Sequence, residues 1–227
     1  MKKSLIILTR NEIEGLKSLF DSLPLYAVDE ALSIDYQSTD GTKEFLKEKG
    51  VRVIDQKKRG RGEAFRLGAE VATGDILVFF SPDGNEDPRD IPKLAGAIEA
   101  GADMAVASRF MKGSRNDEDD KLFKWRAWAN RAFTMLANVF FKGHMFDTIN
   151  GYRAIRKDKF LLLHPDAEGF TIEYQMSIRA MKLGFTIAEF PTVEGGRIGG
   201  QSTATSIPTG FKALRVLLLE VIIGKKF

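Results

Sequence analysis

The segment Ile76–Pro88, ILVFFSPDGNEDP, joins five consecutive apolar residues to a turn that holds Asp83, Asn85, Glu86 and Asp87. An apolar run of that length, closed by Pro and Gly, has the pattern of a strand buried on both faces, and such strands belong to parallel sheets flanked by helices. The same alternation extends to either side. Ser4–Thr9 (SLIILT) precedes Glu12–Leu23, where Ile13, Leu16, Leu19, Phe20 and Leu23 fall at helical spacing. Ala31–Asp35 precedes a helix at Thr42–Lys49, Val51–Asp55 one at Glu63–Ala72, and Ile76–Phe80 one at Ile91–Ala100, before a strand at Met104–Ala107. Repeated strand and helix units predict an α/β fold with a mainly parallel sheet and helices on both faces. Ligands of such sheets bind where the loops gather at the carboxyl ends of the strands. The loops to inspect are therefore TRNE, DYQSTDGT, KKRGRGEA, SPDGNEDP and SRF.

After Ala107 the pattern changes. Lys112–Lys121 is polar and acidic and reads as a solvated loop, and Leu122–Phe141 as a long helix. Trp125, Trp128, Phe133, Leu136 and Phe140 give that helix a buried or membrane-facing side. A strand at Arg153–Arg156, a helix at Glu173–Leu183 and a strand at Thr186–Phe190 follow, then the glycine-rich loop Gly195–Thr205. Residues 1–207 read as one domain, and 208–227 as an amphipathic helix that either packs on it or lies in a membrane interface.

The chain has 227 residues, of which 44% are hydrophobic and 29% charged, so it can bury a core and is not a disordered composition. It has no cysteine and only two histidines, His144 and His164, which excludes disulfides and thiolate zinc sites and argues against a histidine metal centre. Any metal must sit on oxygen ligands, which points to Mg or Mn. No apolar stretch approaches the ~20 residues of a spanning helix, so the expected location is cytoplasmic. Residues 1–121 carry 19 Lys and Arg against 23 Asp and Glu, a net −4, while residues 122–227 carry 15 against 8, a net +7. The second half is the one suited to an anionic partner. Basic residues are not interleaved with an aromatic platform, which disfavours nucleic acid.

Taken singly, the polar loops are ambiguous. Asp83 and Asn85 could hold a hard cation in a glycine-containing turn, with Glu86 and Asp87 solvated or capping, or SPDGNEDP could be a polar lead into a helix started by Pro88 or Pro92, with Asp87 or Asp90 as cap. Asp35 could accept from a ribose or base, or STDGT could be a turn with Asp40 capping the next helix. The glycines and guanidiniums of Lys57–Gly62, KKRGRG, favour phosphate over a bare basic loop.

Together and in order, these motifs resemble glycosyltransferase family two, inverting enzymes with the GT-A (Rossmann-like) fold. The resemblance is nearest to the dolichyl-phosphate or polyprenyl-phosphate sugar transferases, the dolichyl-phosphate mannose synthase-like branch. Thr9–Glu12 (TRNE) is similar to the family's opening motif, Asp35–Thr42 to its D-D-G-S-x-D-G-T, and Gly60–Ala64 to its G-K-G-x-A. Ser108–Phe110 resembles G-S-R-Y, and Asp147–Arg153 resembles D-x-T-S-G-F-R. GFTIAEFP and then Arg197–Ser202 (RIGGQS) resemble the closing strand and acceptor loop. Two positions depart from the pattern: Ser81 stands where the family has the first carboxylate of D-x-D, and Tyr36 where it has the second Asp of the nucleotide motif.

The resemblance implies a hexosyltransferase that moves a sugar from a nucleotide diphosphate sugar to a polyprenyl phosphate. It implies donor contacts at Thr9, Asn11, Glu12, Asp35, Arg61, Ser81 and Asp83, and Mg or Mn on Asp83 and Asn85. Arg109, Arg126 and Arg197 would hold the acceptor phosphate, and Asp147 would serve as base were the acceptor a hydroxyl. A polyprenyl phosphate acceptor implies peripheral contact with the cytoplasmic face of the membrane. Two other readings stand beside this one: the same chemistry on a soluble glycan or other hydroxyl acceptor, and a nucleotide-sugar-binding protein without turnover.

Overall fold

A computed structural model of the chain describes residues 1–116, 124–199 and 206–227, with the side chains of residues 206 and 207 left out. Its strands are β1 (Lys3–Thr9), β2 (Glu30–Asp35), β3 (Arg52–Asp55), β4 (Ile76–Phe80), β5 (Met104–Ser108), β6 (Arg153–Arg156) and β7 (Ile187–Pro191). They form one sheet in the order β3-β2-β1-β4-β6-β5-β7. β1 pairs in parallel with β2 and β4, β2 with β3, and β5 with β7, whereas β6 runs antiparallel to both β4 and β5. Six strands therefore point one way. Their carboxyl ends share a rim with the amino end of β6, and that rim gathers the polar loops.

Alternation along the strands divides the core in two. Leu5, Ile7, Val78 and Phe80 pack beneath α1 (Ile13–Leu19) and α4 (Ile91–Glu99), which supply Leu16, Ile91, Leu94 and Ile98. Ile6, Leu77 and Phe79 face the other way, against Phe65 of α3 (Arg61–Val71), Phe160 of α6 (Lys157–Leu163) and Met176 of α7 (Ile172–Leu183). Phe65 and Phe79 stack with centroids 4.1 Å apart. Each such buried aromatic contributes about 1.5–3 kcal/mol. The remaining helices are α2 (Thr42–Glu48), α5 (Trp125–Phe141) and α8 (Ser206–Ile223). A smaller third cluster joins α5, α7 and α8 through Ala137, Tyr174, Ile178, Ala213 and Leu217.

The strands at Ile76–Phe80 and Arg153–Arg156 lie where the sequence reading puts them. The first helix is shorter than its apolar spacing predicts: it ends at Leu19 and tightens into a single turn, Phe20–Ser22, because Pro24 cannot continue it. α6 has no counterpart in the sequence reading. Residues 117–123, which include most of the acidic run and Leu122, lie outside the described residues, as do 200–205 of the glycine-rich loop with Gln201 and Ser202.

Candidate active site

The rim opens at β1 and β2, whose last residues, Thr9 and Asp35, lie side by side in register. Asp35 is fully buried. Its carboxylate accepts from the Thr9 hydroxyl at 2.9 Å and from the Ser38 amide and hydroxyl at 3.0 and 2.5 Å. Asn11 adopts the left-handed conformation (φ 56°), which turns its side-chain oxygen to the Thr39 amide at 2.8 Å while its own N–H donates to the Ser38 hydroxyl. Asp40 accepts from Thr42 and from the Ile13 amide, so it joins the start of α2 to that of α1. The Arg10 guanidinium lies 5.4 Å from the centre of the Tyr36 ring, at the position where the family motif has an Asp.

Arg61, the first residue of α3, reaches across the rim. Its Nε donates to Glu173 of α7, its Nη1 donates to the Ser81 hydroxyl at 3.0 Å, and the rings of Phe65 and Phe170 lie against it. A Cβ at position 151 would displace the Arg61 guanidinium, so Gly151 leaves room for the Arg61–Glu173 contact. The second carboxylate oxygen of Glu173, Oε2, is buried and has no hydrogen-bond partner.

The SPDGNEDP turn follows β4. Asp83 accepts from the Asn85 amide through one oxygen, at 3.1 Å, and from Arg197 Nη1 through the other, at 2.7 Å. Asp87 caps the turn Pro88–Asp90 by accepting from the Arg89 amide. Glu86, which the sequence reading leaves solvated or capping, is half-buried. It folds back so that its carboxylate accepts the Ser81 amide at 2.6 Å, beside the position where the family has a carboxylate. Burial pushes the Glu86 carboxyl up to about 8 against the pull of Arg61, with the charge of Asp83 adding to the rise.

The segment 194–199 lies on this turn. The Gly195 amide donates to the Asn85 carbonyl at 3.0 Å and the Ile198 amide to the Asp83 carbonyl at 2.7 Å. Gly84 (φ 95°) leaves no room for a side chain against Gly196 and Ile198. Arg197 thus bridges Asp83 and Glu12, to which its Nη2 donates at 2.9 Å. Burial pushes Glu12 up to about 7, Arg197 draws it down, and Asp83 raises it further. Two carboxylates here already converge on one positive group, each through an accepting oxygen, and oxygen ligands are what a hard divalent cation requires. Among the described residues no group of three or more His, Cys, Asp or Glu side chains could hold a metal alone. A cation would need oxygens from the donor as well.

Beyond β5, Arg109 and Asp147 form a bidentate pair, Nε to Oδ2 at 2.7 Å and Nη2 to Oδ1 at 3.0 Å. Asp147 is fully buried and also accepts from the amides of Arg109, Ile149 and Asn150. The buried Arg153 pins the same loop by donating to Asn150 O at 2.9 Å and Glu173 O at 3.0 Å, and burial lowers it to about 10. Arg126 stands exposed in the first turn of α5.

Residues 4–162 match the family model described as glycosyl transferase family 2. The chain belongs to that family. Among its relatives, the undecaprenyl-phosphate mannosyltransferase of Micrococcus luteus is 30% identical over 89% of this chain and 87% of its own. The dolichol-phosphate mannosyltransferase of Pyrococcus furiosus is also 30% identical, over 89% of this chain and 59% of its own. Glycosyltransferase AglJ of Haloferax volcanii is 27% identical over 86% of this chain and 63% of its own, so the chain spans less than two thirds of the length of these last two relatives. The glucosyl-3-phosphoglycerate synthase of Mycobacterium tuberculosis, in complex with Mn2+, UDP-glucose and phosphoglyceric acid, shares the fold. Its TM-score is 0.74 at 23% identity, over 99% of this chain and 79% of that one.

The chain has a GT-A-like fold, and its rim joins most of the residues that the motifs nominate. Sequence reasoning noted Glu86 without a role in the site and missed Glu173 and Glu189. Glu173 and Glu189 meet partners dozens of residues away, and no local spacing signals such a contact.

Proposed function

We propose that this glycosyltransferase moves a sugar from a nucleoside diphosphate sugar to a polyprenyl phosphate with inversion at the anomeric carbon. The observation that carries the reading is the state of Asp147: its oxygens accept five hydrogen bonds and hold Arg109, which suits it to aim a cation rather than to take a proton from a hydroxyl. A phosphate acceptor arrives ionised and needs cations, not a base. In the reaction one acceptor phosphate oxygen attacks the anomeric carbon while the bond from that carbon to the nucleoside diphosphate breaks. The leaving group departs with the electron pair.

Thr9, Asn11, Glu12 and Asp35 shape the nucleoside end, Arg61 and Ser81 meet the diphosphate, and Arg109, Arg126 and Arg197 orient the acceptor phosphate. Asp83 and Asn85 would hold Mg or Mn, which supplies positive charge to the leaving diphosphate when bound. The names of the relatives support the acceptor class. So do the exposed apolar side chains of Trp125, Trp128, Phe211, Leu218 and Ile222 on α5 and α8, which suit those helices to a peripheral position on the cytoplasmic face of a membrane. In this division residues 1–207 form the catalytic domain and 208–227 the interfacial element. Among the described residues no helix is long and apolar enough to cross a membrane.

The test incubates the protein with a panel of nucleotide sugars, Mg or Mn, and either a polyprenyl phosphate or 3-phosphoglycerate. Glycolipid should form, and should fall by about 100-fold or more in Asp83→Ala, the scale of losing a group that stabilises transition-state charge. Product on the soluble phosphate alone would reassign the acceptor. Tight metal-dependent nucleotide binding with no transfer would leave a binding protein.

A further inference from the structure

Glu189 lies on β7, and its two carboxylate oxygens accept consecutive backbone amides of another part of the chain, Phe146 at 2.7 Å and Asp147 at 2.9 Å. Asp147 then holds Arg109 through two side-chain bonds and the Arg109 amide. Five groups stand in line: a carboxylate on an edge strand, two backbone amides, a buried carboxylate and a guanidinium. Charge-assisted bonds of this kind are about twice as strong as neutral ones, and two to successive amides fix the direction of the peptide as well as its place. We propose that Glu189 is a positioning residue for the acceptor: it sets the orientation of the Phe146–Asp147 backbone, through which Asp147 aims Arg109 at the attacking phosphate.

The inference rests on the reading that Arg109 holds an acceptor phosphate. An apolar residue at position 189 would leave both amides without the acceptors they have here, so packing alone does not account for a carboxylate. Nor is it an ordinary surface group. Burial pushes Glu189 up to about 7; the two amides draw it down, Asp147 raises it, and Arg153 lowers it. Lys142 and His144 line the same side cavity of about 300 Å³ as Glu189, on a wall completed by Met181 and Phe185. Above pH 7 the ionised carboxylate accepts both amides. As the pH falls through 7 it gains a proton, one oxygen becomes a donor facing an N–H, and the grip on the 146–147 backbone loosens.

Glu189→Gln tests this, because it keeps the length and one acceptor but sets an NH2 against the other amide. With farnesyl phosphate as acceptor and the nucleotide sugar that supports turnover, its KM for acceptor should rise about tenfold, while donor KM and UDP binding stay within about twofold. The rise of the acceptor KM as the pH falls through 7 should also flatten, whereas any pH dependence of donor KM, which belongs to Glu12 and Glu86, should stay. Donor and acceptor KM rising together would overturn the proposal in favour of a general structural role, and an unchanged acceptor KM and pH dependence would overturn it outright. The wild-type protein offers a second measurement that no folding defect can obscure. Protection of the Phe146 and Asp147 amides from hydrogen exchange should drop below pH 7 relative to neighbouring amides, and constant protection would refute the proposal. Arg109→Ala separates the two readings. If it raises the farnesyl phosphate KM and Glu189→Gln does not, only the role of Glu189 falls; if Arg109→Ala leaves that KM unchanged, the acceptor assignment fails and the inference with it.

Discussion

Arg197 holds two carboxylates, Asp83 and Glu12, that a divalent cation would also seek. A guanidinium and a metal ion cannot both sit on the same oxygen of Asp83, so the two compete. Arg197→Ala should therefore bind Mn2+ alone about tenfold more tightly in a calorimetric titration while transferring sugar more slowly, since a single charge pair at this depth is worth on the order of 1–2 kcal/mol. Weaker Mn2+ binding in the variant would mean instead that Arg197 assembles the cation site. At this scale the chemistry-bearing types were readable from sequence wherever a motif fixed their place: Asp35, Arg61, Asp83, Arg109 and Asp147 all stand on the rim. What could not be read was the direction of a side chain in a turn. Glu86 sits one residue from Asp87, yet Asp87 caps a turn and Glu86 bends back to the Ser81 amide, because the tight turn at Gly84 reverses the chain between Ser81 and Glu86.

Helix α8 shows the same limit one level up. Its stripe of Phe211, Leu214, Leu217, Leu218 and Ile222 is plain in the sequence, and Glu220 reads there as an interruption. In the structure Glu220 is fully buried and is the anchor: its carboxylate takes Arg179 at 2.8 Å, Lys182, and the Gln175 amide at 3.0 Å, all from α7. Removing one partner of a buried ionic cluster strands the others, at a typical cost of about 3–5 kcal/mol. Glu220→Ala should lose stability of that order in urea unfolding; a loss below about 1 kcal/mol would show that α8 is held by its apolar contacts alone. Apolar runs and helical spacing sufficed to locate most strands and helices. They did not reveal α6, whose seven residues hold one short apolar run, or the reversed direction of β6, which no pattern within four residues can carry.

Over the whole molecule, the net positive charge of the second half and the outer faces of α5 and α8 fall on the same part of the chain. Phe211 is 72% exposed, Leu218 53% and Ile222 79%, and Lys212, Arg215, Lys225 and Lys226 on or just beyond α8 are exposed as well. Substituting all three apolar residues with Ser should lower partition onto anionic lipid vesicles by about tenfold and leave thermal stability and binding of the donor nucleotide unchanged, as surface positions allow. Equal sedimentation of variant and parent with vesicles would place membrane contact elsewhere. The order of the sheet also governs how the chain can come together during synthesis. β1, β2 and β3 find all their partners among the first four strands, and β4 has β1 before it meets β6, but β5 pairs only with β6 and β7, both downstream. The buried strand MAVAS must therefore wait, unpaired, until Arg156 has left the ribosome, and long-range pairing of this kind is slow. The Thr9–Asp35 contact can form early on a nascent chain, whereas Arg109 must wait for Asp147, Arg61 for Glu173, and Asp83 for Arg197.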